Sequence, residues 1–323
     1  MLEIVIDNKD GTLWDISRLV SGMKIRTSRF GKAGTAEFSI VTDFPIGDAE
    51  FKVNTGDIVR IKIEDAKMFY GYVFTIDSSQ SSEIKITAYD QMRYLTASDT
   101  YVFTKVTATQ VIQKIAKDAN LSVGSLANTG FVIPKMLEDG QTLLDIIYKA
   151  LDQTLVSQNQ LYVFYDDFGK LALANIKDML LDVVLGEKSL VYDYKYKRSI
   201  DSETYNRIKL VRDNKKTKKR DVYIAQDSST IAKWGRLQYY RKVEDGMNEA
   251  QINQALNNLL ELKNREGKSF SIEALGDPRI RAGNSIYIDM PELGMKATKH
   301  LINECSHNFE GDSHTMSLEL AVY

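Results

Sequence analysis

Apolar positions in this chain recur mostly at every second residue. Leu2, Ile4 and Ile6 alternate with other residues, Met23, Ile25 and Thr27 alternate with Lys24 and Arg26, and Ala36, Phe38 and Ile40 follow. Val59, Ile61 and Ile63 point one way, while Arg60, Lys62 and Glu64 point the other. A period of two predicts strands with one buried and one wet face. Turn chemistry separates these strands. Asp10-Gly11 returns the chain toward Trp14 and Ile16, Gly31-Lys32-Ala33-Gly34 makes the next turn, and Ser78-Ser79-Gln80-Ser81-Ser82 links a strand at Met68 to Ile76 with another at Glu83 to Tyr89. Residues 1–98 therefore read as an all-β sandwich or barrel.

The period changes near residue 100. Thr107-Ala108-Thr109-Gln110 has the spacing of a capping box, and Val111, Ile112, Ile115, Ala116 and Ala119 share one helical face. Leu144, Ile147, Leu151 and Leu155 predict a second helix over about residues 142–156. Leu161 to Tyr165, the turn Asp166-Asp167-Phe168-Gly169 and Leu171 to Ala174 then read as a hairpin. Residues 99–185 form a small α+β domain on this reading. From residue 186 the alternation returns at Val191 to Lys197, Tyr205 to Val211 and Val222 to Ile224. A long helix over 248–265 is predicted, started by Asn248 with Gln251 and ended by Gly267, with Ile252, Leu256, Leu259 and Leu260 as its stripe.

One pattern occurs twice. Phe38-Ser39-Ile40 leads through Asn54-Thr55-Gly56-Asp57 into Val59, Ile61 and Ile63, and closes with Ile84, Ile86 and Ala88. Phe270-Ser271-Ile272 leads through Arg281-Ala282-Gly283-Asn284 into Ile286, Ile288 and Met290, and closes with Met316, Leu318, Leu320 and Val322. Two similar β units are expected, one near each end, with Phe38 and Phe270 both in the core and the last strand running to Tyr323.

Composition narrows the function. The chain has 323 residues, 43% apolar and 27% charged, enough for two or three soluble domains. A formal net charge of −2 disfavours a general nucleic-acid binder. A single cysteine, Cys305, excludes an intrachain disulfide and fits a reducing compartment. Neither a signal peptide nor a membrane span is expected.

Candidate chemistry is sparse. Gly31-Lys32 lacks the other residues of a phosphate loop, Asp7 to Thr12 reads as a turn rather than a calcium loop, and Asp167-Phe168-Gly169 has none of the surroundings of a kinase magnesium motif. Cys305 and His307 share a strand face, with His300 and His314 nearby in sequence. They lack the further ligands of a zinc site and the orienting partner of a nucleophile pair. No catalytic, cofactor-binding or metal-binding residue is assigned. The run Lys215-Lys216-Thr217-Lys218-Lys219-Arg220 reads as a solvated hairpin tip, with contact to an acidic neighbour or passing nucleic acid as the alternative.

The order of the motifs resembles one known family. Gly56-Asp57 comes first, then Gln141-Thr142-Leu143-Leu144-Asp145-Ile146-Ile147, Phe168-Gly169-Lys170-Leu171, Tyr205-Asn206-Arg207-Ile208-Lys209-Leu210 and Arg281-Ala282-Gly283-Asn284. This resembles the baseplate hub proteins of contractile phage tails and phage-tail-like bacteriocins of Gram-positive prophage type. The resemblance implies an α+β, mainly β fold: two tail-tube-like β-barrel domains, 1–98 and 186–323, separated by the small α+β domain, with the long helix inserted in the C-terminal part. It also implies a non-enzymatic homotrimeric ring, made in the bacterial cytoplasm and residing in the baseplate. That ring would join the hexameric tail tube to the trimeric central spike. Its expected partners are the tube protein, the spike protein, other baseplate proteins and the tape-measure protein, with nucleic acid only in transit and no membrane. The rival functions are a cell-wall hydrolase using Cys305 and His307, and a carbohydrate-binding β module.

Overall fold

The structure is a computed structural model that describes residues 2–41, 51–78, 83–186, 189–201, 203–214, 218–243 and 248–321. The chain divides into two units: Met1–Tyr194 with Ser271–Ala321, and Lys195–Phe270 with Val322–Tyr323. Strands predominate throughout, as the alternation predicts.

The first unit begins with β1 (Leu2–Asp7), β2 (Leu13–Asp15), β3 (Val20–Ser28), β4 (Thr35–Val41), β5 (Ile58–Ile63), β6 (Ala66–Ser78) and β7 (Glu83–Tyr89). The Asp10-Gly11 turn pairs β1 with β2, and the Gly31–Gly34 turn pairs β3 with β4. The inward positions are those the period marked: Ile4, Ile6, Ile25, Phe38, Ile40, Val59, Ile61 and Ile86 form one buried cluster. Residues 79–82, the expected polar turn, lie outside the described residues.

Next come β8 (Ser98–Val106), α1 (Ala108–Asp118), β9 (Val123–Leu126), β10 (Ile133–Thr142), α2 (Leu143–Gln158), β11 (Tyr162–Asp166) and β12 (Leu171–Asn175). Thr107 opens α1 with the expected reciprocal capping box to Gln110. Both helices share a core with the strands around them, through Val111, Ile112, Ile115, Ile146, Ile147, Phe103, Phe164 and Leu173.

The chain continues through β13 (Leu180–Gly186), β14 (Val191–Ser199), β15 (Arg207–Asn214), β16 (Lys219–Gln226), α3 (Ser228–Trp234), β17 (Gln238–Lys242), α4 (Glu249–Lys263), β18 (Gly267–Leu275), β19 (Ser285–Met290), β20 (Met295–Glu310) and β21 (Ser313–Leu320). One sheet has the strand order β14-β18-β21-β20-β3-β4-β7-β6-β5-β1-β2, with β19 beside β20 and β13 beside β19. The two ends of the sequence meet inside it, because β3 pairs antiparallel with β20 from Ser28 opposite Glu304 to Gly22 opposite Glu310.

The second unit builds a sheet in the order β16-β15-β17. Ile208, Leu210, Val243, Ile252 and Leu256 form its core. Here the structure corrects several expectations. Lys219 and Arg220 belong to β16 rather than to a turn, and residues 215–217 lie outside the described residues. α4 stops at Lys263, because the Lys263 carbonyl accepts from the Tyr205 amide and the Arg265 carbonyl from the Thr204 hydroxyl. Gly267 therefore opens β18 instead of capping the helix. The side chain of Gln251 and the final residues 322–323 lie outside the described residues.

Candidate assembly surface

Cys305 and His307 do come together, in a form that suppresses nucleophilic chemistry. The Sγ lies 3.4 Å from His307 Nε2. That nitrogen is also 2.8 Å from the Ile280 carbonyl, which can only accept, so Nε2 carries the proton and is not a base for the thiol. Nδ1 is then the acceptor for the His314 Nε2–H at 3.0 Å. Burial pushes the Cys305 thiol up to about 12 and both imidazoles down, His314 to about 4. A reactive cysteine needs the opposite shift. His300 is elsewhere, against the Thr298 hydroxyl. Among the described residues no cluster of His, Cys, Asp or Glu could hold a metal ion.

A second buried polar cluster escaped the sequence reading. Asp90 caps a short 3-10 turn, accepting from the Met92 amide at 2.9 Å and from the Gly34 amide at 2.7 Å. Asp166 accepts from Gln91 Nε2 at 2.8 Å and from the Gly169 amide at 2.7 Å. Burial raises Asp90 to about 8 and Asp166 to about 6, and the charge of Asp166 adds to the rise at Asp90. Arg281 lies over the Tyr165 ring and donates to the Asp166 carbonyl. The cluster ties β7, the β11–β12 turn and the Arg281 turn to one another. Asp preceding Gln91-Met92 is a capping signal, but Gly34, 56 residues from Asp90, and Asp166, 75 residues from Gln91, carry none.

The motifs that carried the resemblance prove to be folding devices. The Thr142 hydroxyl accepts from the Asp145 amide and starts α2. Phe168 and Gly169 take positive φ values of 50° and 86° at the hairpin turn. Asn206 is fully buried and bridges to the start of β17, giving Nδ2–H to the Gly235 carbonyl and accepting from the Leu237 amide.

The two Gly turns match bond for bond. Gly56 N donates to Val73 O and Val73 N to Asp57 O, at 2.7 and 2.9 Å. Gly283 N donates to Ile302 O and Ile302 N to Asn284 O, both at 2.9 Å. The side chain of Asp57 accepts from the Asn54 amide as that of Asn284 accepts from the Arg281 amide, and both glycines sit at φ +91°. Each following strand has its irregularity at the same place, between Val73 and Thr75 and between Ile302 and Glu304. The strand orders β4-β7-β6-β5 and β18-β21-β20-β19 correspond as well.

Comparison with known proteins identifies the family and the fold. A family model described as YQBQ-like matches residues 23–321. YqbQ of Bacillus subtilis is 35% identical over 273 residues, 84% of this chain and 82% of that protein. The phage-like element PBSX protein XkdQ of the same organism is 34% identical over 315 residues, 96% of this chain and 94% of that protein. Among solved structures, the 43 kDa tail protein of prophage MuSo2 from Shewanella oneidensis has a TM-score of 0.73 at 15% identity, covering 99% of this chain and 98% of that one. An Escherichia coli type VI secretion component, itself described as similar in structure to the T4 tail proteins gp27 and gp5, has a TM-score of 0.56 at 10% identity, covering 100% of this chain and 77% of that one. The fold is thus that of prophage tail proteins. The chain belongs to the YqbQ-like family.

Proposed function

We propose that this protein is a structural baseplate hub of a contractile tail, in a phage or a phage-tail-like bacteriocin. Three copies form a closed ring that adapts the hexameric tube to the trimeric spike. The carrying observation is the duplicated sheet unit, with its matched Gly56 and Gly283 turns and its internal β3–β20 joint. A chain with two equivalent units presents six similar faces from three copies, which resolves the symmetry mismatch. On this reading residues 1–98 and 186–323 make two tube-like barrels around the middle domain 99–185, and Lys195–Phe270 is an insertion in the second. The partners are the tube protein, the spike protein, other baseplate proteins and the tape-measure protein. DNA only passes through the lumen, and the protein is synthesised in the bacterial cytoplasm and resides in the particle. It has no enzymatic role, in keeping with the protonated, buried thiol of Cys305. Imaging the native particle by electron microscopy tests this. Three copies around a central pore are expected, with both barrels against the tube; six copies, or one barrel hanging outside, would overturn it.

A further inference from the structure

The two copies of the sheet unit differ in one respect. In the second copy, β20 is paired on both edges along its C-terminal half. β21 takes one edge from Ile302 to Glu310, while on the other edge β19 takes Met295–Leu301 and β3 takes Glu304–Glu310. In the first copy, β6 follows the same plan up to the same point. β7 takes one edge from Tyr72 to Ser78 and β5 takes the other from Ala66 to Tyr72. The β5-side edge from Phe74 to Ser78 then has no strand partner among the described residues. The matched turn bonds equate Val73 with Ile302, and the matched irregularity equates Thr75 with Glu304. The open stretch of β6 is therefore the counterpart of the stretch that β3 covers on β20.

The other half of that joint has a counterpart too. β3 precedes β4 in the chain, pairs with it, and gives its far edge to β20. β14 precedes β18, neighbours it in the sheet, and ends the strand order. Tyr192 and Tyr196 on β14 are 58% and 36% exposed, large apolar surface for a terminal strand. Natural sheets shorten, bend or cover such an edge unless it is used. Lys195 and Lys197 stand exposed on β14, and Asp77 stands exposed on the open stretch of β6.

We infer that β14 of one copy pairs with the Phe74–Ser78 edge of β6 in a second copy of this chain. The contact reproduces between copies the β3–β20 joint that the chain makes within itself. It is head to tail, so each copy offers one β14 and one β6 edge, and the assembly ends only when the ring closes. The inference rests on the hub reading above and adds the strands through which the copies join.

Photocrosslinking in the intact particle tests it. The full chain carries benzoylphenylalanine in place of the exposed Thr75, and purified particles are irradiated and analysed on a denaturing gel. The expected products have two and three times the mass of the chain, with adducts mapping to Val191–Ser199. The Lys195→Glu, Lys197→Glu double variant should cut adduct yield several-fold, and adding Asp77→Lys should restore it. Adducts to another tail protein, adducts to a different segment of this chain, or no multimer would each overturn the joint while leaving the hub reading intact. An unchanged yield in the double variant would overturn it as well. A particle that lacks the chain altogether would overturn the hub reading, and the joint with it.

Discussion

At the scale of single residues, the two buried polar clusters pull stability in opposite directions with pH. Asp90 binds its proton more tightly when folded, since burial and then the Asp166 charge raise it to about 8. Its contribution is complete below the ordinary carboxylate value and is lost as pH rises toward 8. His307 and His314 behave oppositely. Burial lowers both, so the unfolded chain takes up protons first, and their contribution is complete above about 6.5 and lost as pH falls, for His314 toward 4. Above pH 6.5 only the carboxylate slope remains of the two. The denaturant midpoint of the wild type should therefore decline between pH 6.5 and 8, and Asp90→Asn should flatten that decline. Its cost of about 1–3 kcal/mol should show at acid pH, where the carboxyl is neutral folded and unfolded and one of the Gly34 and Met92 amides loses its acceptor. A decline as steep in the variant as in the wild type would refute the assignment. Gly276 makes a separate case at the histidines. A Cβ there would come within 2.2 Å of the His314 ring, so Gly276→Ala should destabilise the chain measurably in the same assay.

At the scale of elements, signals carried by neighbouring residues are legible in the sequence and those that need distant partners are not. The box of Thr107 and Gln110, the stripe of α2, and the hairpin turn at Phe168-Gly169 each depend on residues within a few positions, and each formed as the sequence implied. Thr107→Ala should cost about 1 kcal/mol, seen as a lower thermal midpoint. The duplication was legible because it repeats local turn chemistry, and both marker residues are core, Phe38 at 2% and Phe270 at 0% exposure. Truncating either to Ala should cost about 3–5 kcal/mol by equilibrium denaturation, and a loss under 1 kcal/mol at either site would contradict its core role. The β3–β20 joint was not legible, since Thr27 and Cys305 meet across most of the chain and neither residue type announces the other. α3 was missed for a different reason. None of its residues is buried, so it has no apolar stripe, and it is held by its Asp227 cap. The end of α4 was misplaced because the bonds that stop it come from Thr204 and Tyr205, far upstream.

At the scale of the whole molecule, the chain divides into two units. The first unit relies on the clusters around Phe38 and around Ile112, and the second on Ile208, Leu210, Ile252 and Leu256 beneath α4. Cooperativity follows shared packing, so elements that bury their apolar faces in different cores need not melt together. The second unit is the smaller, and its sheet β16-β15-β17 is covered on one side by a single amphipathic helix. Small cores bury a smaller fraction of their surface and are the less stable. Calorimetry of the isolated protein should therefore show two transitions, the earlier one belonging to Lys195–Phe270. Leu256→Ala removes a side chain that is 5% exposed in the second core and should lower the earlier transition by several degrees while leaving the later one in place. Phe38→Ala should do the reverse. One transition that both substitutions shift together would mean that the two cores unfold as one cooperative block.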